Sequence, residues 1–205
     1  MTAGVAGPTI FLSVGEHSGE RIAVDLMEAI RRRAPDARFV GVGGPLMREH
    51  GFDLRYDLSQ HSVMWVWDAL RVAPDVGRTI LRLGREMAAE RPDVVVAIDS
   101  PGFNLHMAQK ARRLGIPSCY YVAPQVWAYN QWRVVKLRRM VDRLLVILPF
   151  EVEFFRRHGI DARYVGHPLI ERLASHELDS ALVARLAARP SLVVLPGSRR
   201  DEVGR

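Results

Sequence analysis

The chain has 205 residues, 48% hydrophobic and 25% charged, an ordinary globular balance that excludes wholesale disorder and leaves enough apolar mass for a core without disulfide staples. Its single cysteine, Cys119, excludes an internal disulfide framework and fits a reducing compartment. Lys and Arg number 29 against 23 Asp and Glu, a formal +6, which suits anionic partners, yet no zinc-finger spacing, RNP motif or basic heptad pattern points to nucleic acid.

In chain order, short apolar runs alternate with helical patterns. Thr9–Val14 reads as a buried strand, and a helix follows through about Arg33 with Ala23, Leu26, Met27 and Ile30 on one face. Arg38–Val42 is a second strand, and Pro45 after it suits the first position of a helix. A short strand near Leu54–Tyr56 precedes a long helical stretch to about Arg91, expected to break near Pro74. Asp93–Ile98 is the clearest buried strand, followed by a helix over 104–114 and a strand over Ser118–Val122. A helix over 131–141, a strand over Arg143–Ile147, a helix over 150–158 and a strand near Arg163–Val165 complete the series. Continuous apolar strands separated by helices imply a parallel sheet covered on both faces, a Rossmann-like doubly wound α/β domain. In such sheets, sites form at the carboxyl ends of the strands. A helical stretch over 182–188 and a lone strand-like run, Leu192–Leu195, follow. A strand needs neighbours, so residues 1–166 are expected to form the first domain, 167–190 a linker, and 191–205 the start of a second domain.

The loops at the strand ends carry the chemistry. Gly15-Glu16-His17-Ser18-Gly19-Glu20 permits a tight turn, but its two carboxylates would repel a pyrophosphate, so it is no dinucleotide cradle. Ser18 suits a helix cap and Glu20 the first helical turn, whereas Glu16 has no such structural reason to be there. The backbone amides of Gly43-Gly44-Pro45 can receive an anion, although a plain tight turn accounts for them as well. Asp99, ending the strongest strand, is placed for general base work, with Asn104 read as the cap of the next helix. Ala123–Tyr129 brings Trp127 and Tyr129, whose faces suit sugar rings or acyl chains or else pack the following helix. His167, in Gly166-His167-Pro168, can polarise a phosphate or sugar hydroxyl but fits a structural role equally. Pro196-Gly197-Ser198-Arg199 combines amides with a guanidinium, the makings of a phosphate site.

No apolar run reaches the ~18 residues of a membrane span, and Met1–Pro8 lacks a basic then apolar leader pattern, so neither a crossing helix nor a secretory signal is expected. Val63-Met64-Trp65-Val66-Trp67 and Leu70 are nevertheless very apolar beside an arginine stripe at Arg78, Arg82 and Arg85. Such a segment suits the headgroup region of an anionic membrane, or else an ordinary amphipathic core helix. A second basic run, Arg133, Lys136, Arg138, Arg139 and Arg143, reads in its simplest form as a solvated face.

Taken in order, Gly15–Glu20, Phe39–Pro45, Pro92–Asn104, Tyr121–Tyr129, Leu148–Glu151, Val165–Pro168 and Leu195–Val203 resemble the corresponding pieces of lipid-A-disaccharide synthases, glycosyltransferases of the GT-B fold. The resemblance implies the N-terminal half of such a hexosyltransferase. It implies transfer of 2,3-diacylglucosamine from its UDP derivative to the 6-hydroxyl of 2,3-diacylglucosamine 1-phosphate, giving a β(1→6) disaccharide and UDP. It matches Asp99 and Glu16 to acidic positions needed for activity, the catalytic pair, with Asp99 as the general base. It matches Arg199 to an arginine of the donor side; with the loops read above, the expected substrate-binding set is Gly15, Ser18, Gly19, Gly43, Gly44, Asn104, Gln125, Trp127, His167, Ser198 and Arg199. No metal and no cofactor are expected. A peripheral place on the cytoplasmic face of the inner membrane, contact with an anionic membrane surface and a homodimer of the full-length protein are also expected. The sequence departs from the family pattern in several places. Glu20 stands where Asp is usual, Gly102 where a second Asp is usual, Ala123-Pro124-Gln125 replaces Ser-Pro-Ser, and Met64–Asp68 replaces a Met-Gly segment. Two other readings share the sheet: a sugar-nucleotide epimerase or hydrolase, which has no need of the tryptophan segment, and a non-enzymatic Rossmann module that binds an anionic ligand or a membrane surface.

Overall fold

A computed structural model describes residues 7–57, 69–128, 131–188, 190, 192 and 194. Seven strands and eight helices are described: β1 (Thr9–Val14), α1 (His17–Arg31), β2 (Arg38–Gly43), α2 (Pro45–Glu49), β3 (Asp53–Asp57), α3 (Ala69–Glu90), β4 (Val94–Ile98), α4 (Pro101–Arg113), β5 (Ser118–Tyr121), α5 (Arg133–Met140), β6 (Arg143–Val146), α6 (Pro149–Arg157), β7 (Asp161–Tyr164), α7 (Pro168–Ser175) and α8 (Ser180–Ala187). The strands form one sheet in the order β3-β2-β1-β4-β5-β6-β7. Every pairing is parallel. Strand order reverses between β1 and β4, so a crevice is expected outside their carboxyl ends.

Alternation along each strand divides the apolar residues between the two faces. Ile10, Leu12 and Val14 pack with Phe39, Val96 and Ile98 against Ala23, Val24 and Met27 of α1. Phe11, Val40, Val42 and Val95 pack on the other face against Leu83 and Met87 of α3 and Phe103 and Met107 of α4. Toward the far edge, Tyr120, Leu144, Val146 and Ala162 lie under Val134, Leu137 and Met140 of α5 and Phe155 of α6. Burying each of these larger side chains contributes about 1.5–3 kcal/mol. At the amino rim two aspartates tie neighbouring strands together. Asp93 Oδ2 accepts the Thr9 N–H at 2.7 Å, and Asp142 Oδ2 accepts both the N–H and the hydroxyl of Ser118 at 2.9 Å.

Three expectations need correction. The helix over 69–90 is unbroken at Pro74; the proline falls in its second turn, where it costs one intrahelical bond and the helix continues. The helix after β4 starts at Pro101, not near 104, because the proline ring presets the first helical φ. Within 167–190 the helical stretch expected over 182–188 is α8, but a further helix, α7, lies ahead of it and was not expected.

The chain divides into a unit over Met1–Pro168 and another over Leu169–Arg205. In the second, Asp179 caps α8, its Oδ1 accepting the Ala181 and Leu182 N–H groups at 3.0 Å. Of the strand expected over 192–195, Leu192 and Val194 are described and are not in a strand, and Val193 and Leu195 lie outside the described residues.

Candidate functional site

The strand register sets the site. Val14 pairs with Ile98, and Ile98 with Tyr121, so the chain leaves β1, β4 and β5 at one level, at Gly15, Asp99 and Val122. The first two exits touch. A Cβ added to Gly15 would collide with the Cβ and Oγ of Ser100. The glycine is therefore what lets the loop carrying Glu16 close onto the loop carrying Asp99. Glu16 is exposed and Asp99 half-buried, so two carboxylate-bearing turns lie side by side at the strand-order reversal.

The β4 exit is strained and braced. Asp99 and Ser100 have φ of 53° and 45°, a left-handed conformation costing about 1–3 kcal/mol per residue outside glycine. Asn104 holds it from below. Its Nδ2 donates to the carbonyls of Ile98 and Asp99, both at 2.7 Å, and its Oδ1 accepts the Ser13 hydroxyl at 2.7 Å. The Tyr120 hydroxyl donates to the same Asp99 carbonyl at 2.5 Å. Burial, reinforced by the Asp99 charge, pushes the Tyr120 phenol well above its ordinary range, so it remains a donor. Val122 at the neighbouring exit also has a positive φ, 62°, an outlier for a β-branched residue.

Several expected roles change. Asn104 is neither the cap of α4 nor turned to solvent: Ser100 is the cap residue and Asn104 is wholly buried, its amide committed to Ser13 and the Asp99 turn. The α1 cap position belongs to Glu16, without a side-chain cap bond, and Ser18 sits exposed in the first turn. Glu20 is 5% exposed and reaches across to α2, its Oε2 accepting the Leu46 N–H at 3.1 Å. Its carboxylate fills the space where Gly44 would carry a Cβ, while Met47 sulfur fills that of Gly43. The anion at the Gly43-Gly44 turn is thus the protein's own, and these glycines serve packing. Gly19 is likewise buried, its missing Cβ 2.9 Å from Val14 Cγ1, which lets α1 close onto β1.

On the β5 loop, Gln125 is exposed and Trp127 half-buried. The Trp127 indole donates to Glu151 Oε1 at 3.0 Å and meets the Phe150 ring edge-on at 4.8 Å. Glu151 is 1% exposed, and its Oε2 accepts the Leu148 N–H at 3.0 Å. Trp127 therefore fastens the loop to the start of α6 while keeping part of its ring accessible. His167 follows β7, three strands from β4 and so roughly 14 Å along the rim; it does not join the Glu16–Asp99 group. Met64, Trp65, Val66, Trp67, Tyr129, Ser198 and Arg199 lie outside the described residues, and of the apolar segment only Leu70 falls within α3.

Sequence reasoning missed Ser13, Tyr120 and Glu151. The signal for Ser13 was a hydroxyl inside the otherwise apolar run Ile-Phe-Leu-Ser-Val. For Glu151 it was Leu-Pro-Phe-Glu, whose acid returns to the Leu148 N–H. Among the described residues no helix is long and apolar enough to cross a membrane, and no His, Cys, Asp and Glu cluster could hold a metal ion.

The sheet is that of known sugar-nucleotide proteins. A UDP-N-acetylglucosamine 2-epimerase from Rickettsia bellii superposes with a TM-score of 0.59 at 18% identity, over 88% of this chain and 51% of that one. Arabidopsis thaliana UGT89C1, complexed with UDP, gives 0.54 at 14% identity, over 90% and 56%. These likenesses concern the fold alone. Sequence goes further. The Lipid-A-disaccharide synthetase family model matches residues 10–205. The lipid-A-disaccharide synthases of Myxococcus xanthus and Alkalilimnicola ehrlichii are 40% and 42% identical over 97% and 96% of this chain. The chain spans about half their length, 52% and 53%. With a doubly wound sheet, paired acidic exits and this breadth of sequence identity, the chain belongs to the lipid-A-disaccharide synthase family.

Proposed function

We propose that the chain is the acceptor-side half of a glycosyltransferase that moves 2,3-diacylglucosamine from its UDP derivative to the 6-hydroxyl of 2,3-diacylglucosamine 1-phosphate, releasing UDP. The observation that supports the reading is the closure of Gly15 onto Ser100, which brings the turn bearing Glu16 beside the turn bearing Asp99. In this reading Asp99 draws the proton from the acceptor hydroxyl as that oxygen attacks the anomeric carbon, inverting it. Glu16 orients the acceptor amino sugar from the facing loop, and Gln125 and the accessible part of Trp127 contact the sugar or its acyl chains. Ser198 and Arg199 stabilise the departing diphosphate. His167, at the edge of the same rim, serves the donor phosphate rather than the base. Residues 191–205 open the nucleotide-binding half, and the protein works as a homodimer at the cytoplasmic face of the inner membrane, with Met64–Trp67 and Leu70 against an anionic surface.

In the full-length protein, Asp99→Asn should lower the rate of disaccharide formation about 10²–10⁴-fold, the usual contribution of a general base, while leaving binding of the UDP sugar unchanged. Mass detection of the disaccharide decides it: an unchanged rate overturns the base assignment, and a C2-epimerised or hydrolysed UDP sugar without disaccharide favours the epimerase or hydrolase reading that the fold likeness also admits.

A further inference from the structure

We propose that Tyr120 and Asn104 are positioning residues for the reaction: by gripping the main chain of Asp99 they aim its carboxylate at the acceptor hydroxyl. The inference deepens the reading of Asp99 as the base and rests on it. Two peptide planes meet at the Cα of a residue, and together they fix the direction in which its side chain leaves the backbone. Both planes at Asp99 are held. In the one before it, the Ile98 carbonyl accepts Asn104 Nδ2 at 2.7 Å and the Asp99 N–H donates to the Tyr121 carbonyl at 3.0 Å. In the one after it, the Asp99 carbonyl accepts Asn104 Nδ2 at 2.7 Å and the Tyr120 hydroxyl at 2.5 Å. Both amide hydrogens of Asn104 and both lone pairs of that carbonyl are thereby committed. The Ser13 hydroxyl, donating to Asn104 Oδ1 at 2.7 Å, fixes which way the amide faces. What is left to the aspartate is rotation about its own side-chain bonds.

Asp99 stands at φ 53° and Ser100 at 45°, a conformation that glycine takes without strain and that other residues keep only where their surroundings impose it. The surroundings here come from three elements, since Ser13 lies on β1, Asn104 on α4 and Tyr120 on β5. All three side chains are fully buried, so no water replaces a lost partner. The Tyr120 ring belongs to a core that includes Ala97 of β4, Ala108 of α4 and Leu144 of β6, which makes its hydroxyl a fixed post rather than a mobile arm. Burial keeps that phenol protonated and donating. A base must keep its oxygens available for the proton it takes. These bonds to the turn all end on main-chain atoms, so they direct the carboxylate without occupying it.

Steady-state kinetics of the full-length protein test the proposal, with UDP-diacylglucosamine and diacylglucosamine 1-phosphate as substrates. Tyr120→Phe removes one hydroxyl and keeps the ring. Its kcat should fall about 10-fold, a fraction of the roughly 10²-fold that an ångström of misplacement costs. KM for both substrates should stay within about twofold, because aim matters only as the proton moves. Asn104→Leu removes the other donor and should give the same pattern more strongly. The decisive measurement is the cycle with Asp99→Asn. In that background neither change has a base left to aim, so the residual rate should stay within about twofold. Rates are taken below the thermal midpoint of each variant, so that only folded protein is compared. Wild-type kcat in either variant overturns the proposal. So does an equal fractional loss with and without Asp99→Asn, or a loss carried by KM, either of which marks a merely structural role. If Asp99→Asn itself leaves the rate unchanged, the base reading falls and this proposal with it. If Asp99→Asn slows the reaction and Tyr120→Phe does not, the base reading stands and the positioning role alone is overturned.

Discussion

Replacing Asn104 by leucine removes the brace beneath the Asp99 turn while nearly keeping its volume. The Ser13 hydroxyl loses its acceptor, and the carbonyls of Ile98 and Asp99 lose their amide donor. Ser13 and Asn104 are both wholly buried, so water does not substitute. Leaving a buried polar group unpaired costs about 1–3 kcal/mol. Asp99 keeps the Tyr120 hydroxyl, so the two groups at Ser13 and Ile98 dominate and the gross cost is about 2–6 kcal/mol. Release of the left-handed turn and the apolar burial of leucine offset part of this, leaving a net loss of about 3 kcal/mol. Against a typical domain stability of about 5–15 kcal/mol the chain should remain folded. With a urea slope near 2 kcal/mol per molar, the midpoint should fall by about 1.5 M. Ser13→Ala is the internal check. Alone it strands the Asn104 oxygen and costs about 1 kcal/mol, but in the leucine background it removes the orphaned hydroxyl and restores about as much. A midpoint drop below about 0.3 M, or strictly additive effects of the two changes, would refute the bracing role.

Two further outcomes follow from the same rim and from the sheet behind it. Gly15→Ala places a methyl against the Ser100 side chain, including its fixed Cβ, so the thermal midpoint should fall by the equivalent of about 1–3 kcal/mol; Ser100→Gly in the same background should recover most of it, and no recovery would dissociate the two loops. Burial pushes the Cys119 thiol above its ordinary range, outweighing the opposing charge of Arg143, while Asp142 and Asp161 raise it further. A raised value means less thiolate at any given pH, so iodoacetamide at pH 8 should react more slowly with the native chain than with the urea-unfolded one, and Arg143→Gln should slow it again. Equal native and unfolded rates would contradict this.

Much of the fold was legible because the buried strands are continuous apolar runs with turn residues at their ends. Asp93–Ile98 and Arg38–Val42 declare themselves in this way, and the parallel topology then brings the loops after β1, β4 and β5 to one rim. What was not legible is which polar side chain serves which distant backbone. Glu20 reads locally as a first-turn acid, yet its partner Leu46 lies 26 residues on. Asn104 reads locally as a cap, yet it is paired with Ser13, 91 residues away. The latch between Trp127 and Glu151 likewise joins a loop to the next helix but one strand on, 24 residues apart. Local pattern records what a residue suits; tertiary closure decides which donor reaches it first. The left-handed backbone at Asp99, Ser100 and Val122 carried no signal either, since none of the three is glycine.

That backbone has a bearing on how the chain can be engineered. Glycine at position 122 or 100 would relax the main chain, so a laboratory lineage selected for heat resistance alone has accessible improvements there. Each such change would loosen the mouth of the crevice. Heat tolerance and turnover would therefore have to be screened together, and thermostable clones that drift to glycine at these positions would be the first to discard.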